Sequence, residues 1–255
     1  MKQISRLILI IVLISPFYLY SQVPKPADSI NKYDANHLKT GIWEERMGDL
    51  TTKGLYIANK KEKNWVTYLP NNLIYKLEYY ENGMRNGIAL TFDRKAKLMN
   101  QDYYKNDQLD GMSVAYSQYN ETPLSEINWA GGKKDGFYKM YYDNGKLQEV
   151  TNYTQNVKDG ASRWYAKTGK LIAVYNYNKG NFDGPQVTYY DNDTLESQSS
   201  YRNNKLDGDY KEYYRNGKLK VAGKYVLGLK EGTWTEYDEV GKAVGVIRYK
   251  GGVVK

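Results

Sequence analysis

The chain of 255 residues has no cysteine, a single histidine (His37), 28 tyrosines, 23 glycines, only four phenylalanines and a formal charge of +8. These counts exclude a disulfide framework, a thiolate metal site and a cysteine nucleophile, and they leave no basis for a histidine-dependent triad. Abundant Tyr and Gly suit a thin sheet wet on at least one side, and the mild, diffuse positive charge does not point to nucleic acid.

In chain order, Lys2 and Arg6 precede an apolar run from Leu7 to Ile14, and Ser21 follows as a small residue before a cut. A charged region, a short apolar region and a small residue read as an export signal over 1–21; the run is too short for a membrane span. Its removal takes Lys2 and Arg6 away and lowers the charge from +8 to +6. The expected destination is the periplasm, cell surface or exterior, with no integral span after cleavage. Residues 22–38, with two prolines and no alternation, read as a tether that also holds His37.

From residue 39 to 255 one phrase recurs. Glycines at Gly41, Gly87, Gly111, Gly136, Gly160, Gly184, Gly208 and Gly232, with Asn64 in the second slot, set a register of roughly 24 residues and nine units. Self-similarity at such a period marks a repeat architecture. Five residues after these anchors stand Phe92, Tyr116, Tyr141, Tyr165, Tyr189, Tyr213 and Tyr237; seven before the next anchor stand Tyr80, Tyr104, Trp129, Tyr153, Tyr177, Tyr201 and Tyr225. Four before it come Gly83, Asp107, Gly132, Asn156, Gly180, Asn204, Gly228 and Gly252. Gly, Asn and Asp tolerate positive φ, so this column is a turn. A second turn lies near Asn144-Gly145 and Asn216-Gly217, where Asn-Gly predicts type I′. Segments such as "FYKMYY" and "LQEVTNY" between the turns are strands. The expected fold is all-β: an elongated, twisted, open sheet of about nine tandem hairpins. Leu147 and Tyr153, six apart, are expected on one face, and the first two units, where Arg46 and Leu69 replace the aromatic and Ile57 replaces the tyrosine, as degraded caps.

"DGFYKMYYDNGKLQEV" (135–150) and "LDGDYKEYYRNGKLK" (206–220) resemble the MORN-repeat variant family, with the likeness strongest from Tyr80 onward. The resemblance implies rows of β-hairpins. Bacterial members are commonly labelled antitoxin components of toxin–antitoxin systems, which implies a protein partner.

No catalytic, metal or cofactor site is expected. The acidic column Asp110, Asp135, Asp159, Asp183, Asp207 and Glu231 precedes the anchors and suits hydrogen bonding to turn N–H groups better than a carboxylate pair for catalysis. The candidate binding residues are Tyr141, Tyr165, Tyr189, Tyr213 and Tyr237, as a row of rings for a partner protein or a glycan, with Lys146, Lys170 and Lys218 as a basic column for an anionic envelope polymer. The structural turns are Gly83, Gly132, Gly180 and Gly228, with anchors Gly136, Gly160, Gly184, Gly208 and Gly232.

Overall fold

The computed structural model describes residues 30–255; the expected signal segment, 1–21, and the start of the tether lie outside the described residues. Eighteen strands of six to nine residues, from Lys39–Met47 to Ala243–Lys250, pair antiparallel in chain order, with five two-residue strands beside them. The result is one open sheet without a helix among the described residues. Within the expected tether, Lys32–Tyr33 pairs with Lys39 and Thr40. The Asn31 side chain continues that pairing, accepting from the N–H of Glu44 and donating to its carbonyl.

The column of Gly, Asp and Asn is a positive-φ turn, as expected. Gln155 and Asn156 have φ of 50° and 72°, and Lys179 and Gly180 have 48° and 84°. Both central residues are left-handed, which is type I′. Each such turn also bonds to the hairpin before it. Asn156 N–H donates to the Lys134 carbonyl at 2.8 Å, and its side chain accepts from Lys134 N–H at 2.7 Å. Asn204 does the same with Phe182, whereas Gly180 makes only the backbone bond, to Lys158. The acidic column reaches the other central residue of these turns. Asp110, Asp183 and Glu231 accept from the N–H of Gly131, Asn203 and Gly251 at 3.1, 3.2 and 2.7 Å.

Three expectations need correction. The turn at Asn144-Gly145 is not type I′, because only Gly145 has positive φ. Gly145 N–H donates to Tyr142 O and Tyr142 N–H to Lys146 O, giving a type I turn closed by a left-handed bulge residue. The second anchor is Lys63, not Asn64: Lys63 has φ 60° and pairs with Tyr80, as Gly136 pairs with Tyr153. Finally, Leu147 and Tyr153 lie on opposite faces. Tyr141 pairs with Leu147 but Met140 with Glu149, so a bulge consumes Gln148 and reverses the alternation.

The face that carries Tyr153 holds most of the buried residues. At its N-terminal end Trp43, Tyr56, Trp65 and Tyr80 pack edge-to-face, with centroids 5.7, 4.9 and 6.4 Å apart. With Lys63 as the anchor Tyr56 stands in the tyrosine column, as Tyr80 does, so the units expected to be degraded keep a continuous aromatic cluster on this face. Trp65 and Trp234 lie flat on Gly54 and Gly223, where an added Cβ would sit 2.2 Å from a ring carbon. Further along, Glu149, Thr151, Ser162 and Gln186 are buried on this face. Thr151 donates to Glu149 at 2.6 Å and shares a hydrogen bond with Ser162 at 2.5 Å.

Gly223→Ala is expected to displace Trp234 and lower stability by about 1–3 kcal/mol in denaturant melts. Gly245→Ala, whose Cβ meets only ordinary contacts with Glu236, should be close to neutral. Gly180→Val should cost more than Lys179→Ala, because a β-branched residue resists φ of 84° and its Cβ would stand 3.1 Å from Val157. Equal melting shifts for that second pair would contradict the turn assignment.

Candidate binding groove

The face with Tyr153 has a recurring unit that begins two residues before each anchor. Lys39, Lys61, Lys134 and Lys230 stand there, each with its ammonium over two rings of its own repeat. The distances to Trp43 and Tyr56 are 4.5 and 4.7 Å; to Trp65 and Tyr80, 4.0 and 5.5 Å; to Tyr138 and Tyr153, 4.8 and 5.2 Å; to Trp234 and Tyr249, 4.2 and 5.1 Å. Lys158 lies over Trp164 and Tyr177, and Arg85 covers Tyr104 at 4.0 Å. Such contacts are worth about 0.5–2 kcal/mol each, more when desolvated. Carboxylates complete four of them, at 2.7 Å for Lys39–Glu45, 3.6 Å for Lys61–Glu45, 3.1 Å for Arg85–Asp107 and 3.1 Å for Lys158–Glu149. This basic column has the same period as the glycines and went unread, although its spacing from the anchor is constant.

Burial and charge shift the titrations on this face. Burial opposes the charge on Lys158, but its hydrogen bond to Glu149 and their attraction outweigh that and raise its pKa. Burial, with Glu78 adding to it, pushes Tyr80 up to about 12. Tyr210 is raised first by burial and then by its hydrogen bond to Glu212.

Toward the C-terminal units the face opens into a groove. Three hollows follow one another: about 370 Å³ beside Tyr175, Phe182 and Tyr201; about 320 Å³ beside Glu196, Ser197 and Lys220; and about 190 Å³ between Tyr225, Trp234 and Glu236. Tyr210 lines all three. Ser197, Ser199, Thr188 and Gln186 supply polar groups along the floor.

The sequence-derived binding residues lie elsewhere. Tyr141, Tyr165, Tyr189 and Tyr213 are half-buried and pair with Leu147, Leu171, Leu195 and Leu219; Tyr237 pairs with Ala243. They belong to the face opposite the groove, where Tyr141 donates to Glu126 at 2.8 Å. The ammonium groups of Lys146, Lys170 and Lys218 donate to the carbonyls of Thr168, Asp191 and Val240 in the following turn, at 2.5, 2.7 and 2.9 Å. A further column was missed there. The hydroxyls of Tyr142, Tyr190 and Tyr214 donate to the carbonyls of Tyr165, Tyr213 and Tyr237. The turn glycines Gly83, Gly132, Gly180 and Gly228 and the anchors Gly136, Gly160, Gly184, Gly208 and Gly232 all have positive φ.

Lys158→Met leaves the nearly buried Glu149 carboxylate without its cation. Broken buried pairs cost ~3–5 kcal/mol; with the Lys158 side chain 28% exposed, about 2–3 kcal/mol is expected. The double variant Glu149→Gln/Lys158→Met should recover part of that loss in a double-mutant cycle. Because the folded-state pKa of Lys158 is raised, the pair's contribution is complete below the ordinary lysine value of 10.5 and fades as pH rises through the folded value. Wild-type melts should show this alkaline loss, and the double variant should lack it.

Comparison with known proteins gives one family. The model of the MORN repeat variant matches four consecutive segments, 134–155, 158–179, 182–203 and 206–226. No curated protein matches the sequence. Among solved structures, a chain in the crystal structure of TcdB2-TccC3-Cdc42 aligns with 86% of this chain at 13% identity and a TM-score of 0.18, and the alignment spans 16% of that chain.

Proposed function

Four segments between residues 134 and 226 match the MORN repeat variant, and on that premise we propose that the protein is a non-catalytic scaffold that holds a partner protein on its groove face. One observation carries this reading: side chains from several successive repeats line a single groove, with Tyr210 common to its three hollows. A surface assembled from repeats fits an extended partner better than a small substrate. The charged and apolar N-terminal segment supports export to the periplasm, cell surface or exterior. In an antitoxin-like role, as the family label suggests, the partner is a toxin protein. A second reading, a surface or wall module that binds glycan, is favoured by the mixture of Tyr175, Tyr201 and Tyr210 rings with Ser197, Ser199 and Thr188 hydroxyls.

The test compares the full-length protein with two variants. Ser199→Trp fills the groove; the triple change Tyr165→Ser, Tyr189→Ser and Tyr213→Ser strips the opposite face. A partner captured from envelope extract should be lost with Ser199→Trp and kept by any triple variant that remains folded. Loss in the folded triple variant alone would move the interface to the opposite face. A glycan array read in parallel with no protein partner captured would favour the second reading.

A further inference from the structure

Three units depart from the lysine-over-rings pattern: Leu109, Phe182 and Leu206 occupy the position two before the anchor. In the unit of Phe182 the slot is filled by that ring, which packs 4.8 Å from Tyr177 and 5.5 Å from Tyr201. In the unit of Leu109 the residue two after the anchor is Ser113, so the ring pair is missing. The unit of Leu206 is different. It keeps the whole receptor for an ammonium and lacks only the ammonium.

The match with the first unit is one of positions, with Tyr210 standing where the first unit has Trp43. There, Lys39 sits over Trp43 and Tyr56, whose rings meet edge-to-face at 5.7 Å and 82°, and it pairs with Glu45. Tyr210 and Tyr225 stand at the corresponding positions and meet at 5.4 Å and 84°. Glu212 takes the place of Glu45, four residues after the anchor. In each unit one tyrosine hydroxyl donates to the carboxylate, but from different positions: Tyr56, the counterpart of Tyr225, donates to Glu45, whereas Tyr210, the counterpart of Trp43, donates to Glu212. Leu206 takes the place of Lys39 but ends two atoms short of where an ammonium would be. Tyr210, Tyr225 and Glu212 line the hollow of about 190 Å³. Charge in the groove also favours a cation. Glu196, Glu212 and Glu236 face Lys220 and Lys230, and the Lys220–Glu212 contact is 3.5 Å with Lys220 47% exposed. An exposed pair of that kind is weak and exchangeable.

The geometry points to a cation-binding slot formed by Tyr210, Tyr225 and Glu212, which accepts a lysine side chain from an extended partner segment. The guest supplies in trans the ammonium that other repeats supply in cis. This rests on the scaffold reading and adds the chemistry of the segment that is held: a lysine that reaches over two rings to a carboxylate.

The experiment uses the full chain and two labelled pentapeptides, Thr-Lys-Thr-Lys-Thr and its norleucine counterpart, titrated by fluorescence polarisation. The lysine peptide should bind at least tenfold more tightly. Leu206→Lys restores the repeat's own ammonium, so it should weaken peptide binding at least tenfold while the melting temperature holds or rises. Leu206→Met should bind like wild type. If Leu206→Lys does not fold, Glu212→Gln serves instead, and it should also lose the preference for lysine over norleucine. Equal binding of the two peptides, or undiminished binding by folded Leu206→Lys, would overturn the slot. So would chitopentaose displacing the lysine peptide from both wild type and Leu206→Lys. Should the peptides fail while Ser199→Trp still abolishes capture of an envelope partner, the slot falls and the scaffold stands. Loss of both would remove the scaffold reading as well.

Discussion

The hydrogen bond from one hairpin's type I′ turn to the hairpin before it is the constraint on which this fold depends. A single-layer sheet has no second layer against which to form a thick core, and an isolated hairpin in water is marginal. The turn N–H of Asn156, Gly180 or Asn204, donated to a carbonyl 22 residues earlier, extends the ladder past the end of each strand. At the other rim the Tyr142, Tyr190 and Tyr214 hydroxyls and the Lys146, Lys170 and Lys218 ammonium groups do the same work. Both rims of the sheet are thereby tied, so turn chemistry and strand pairing act as one cooperative system.

Between the rims the two faces solve burial differently. On one, tyrosines and leucines pair across strands beside the second turn, as Tyr165 with Leu171. On the other, small polar residues share the face with rings, and Thr151 and Ser162 are almost wholly buried because their hydroxyls satisfy one another and Glu149. Buried polar groups are tolerable when hydrogen-bonded, and here the bonds run across strands and add to the pairing. Lysines laid over rings shield the aromatic edge from water while keeping their charge near solvent.

Much of this was legible in the sequence, for reasons that particular residues make plain. The period, the hairpin count and the positive-φ column were readable because backbone strain admits few residue types at such turns, as at Gly180 and Asn156. Facing was not readable at Leu147 and Tyr153, because the bulge at Gln148 leaves no compositional mark and reverses alternation for everything after it. Asn144-Gly145 misled because the same dipeptide suits both a type I′ turn and a type I turn with a left-handed residue after it. The lysines over the rings drew no reading, because their charge obscures what their stems and ammonium groups touch. The groove depends on which face each ring takes, so it became visible only once the bulge was placed.

The side-chain bonds that join successive hairpins at their turns reach 20 to 24 residues along the chain, as with Asp143 and Lys167 or Asn204 and Phe182. Interactions of so short a reach make the molecule resemble a zipper more than a globule. Stress applied at one place is passed only to the adjoining teeth, and opening can halt at any tooth. Loss or gain of a whole period returns every donor opposite an equivalent acceptor, so length can vary in steps while the local chemistry stays the same. A change of a few residues has no such escape, since it puts two rims out of step at once. The module that carries Leu206 can in this way change its distance from the N-terminal cluster without any change in its own geometry.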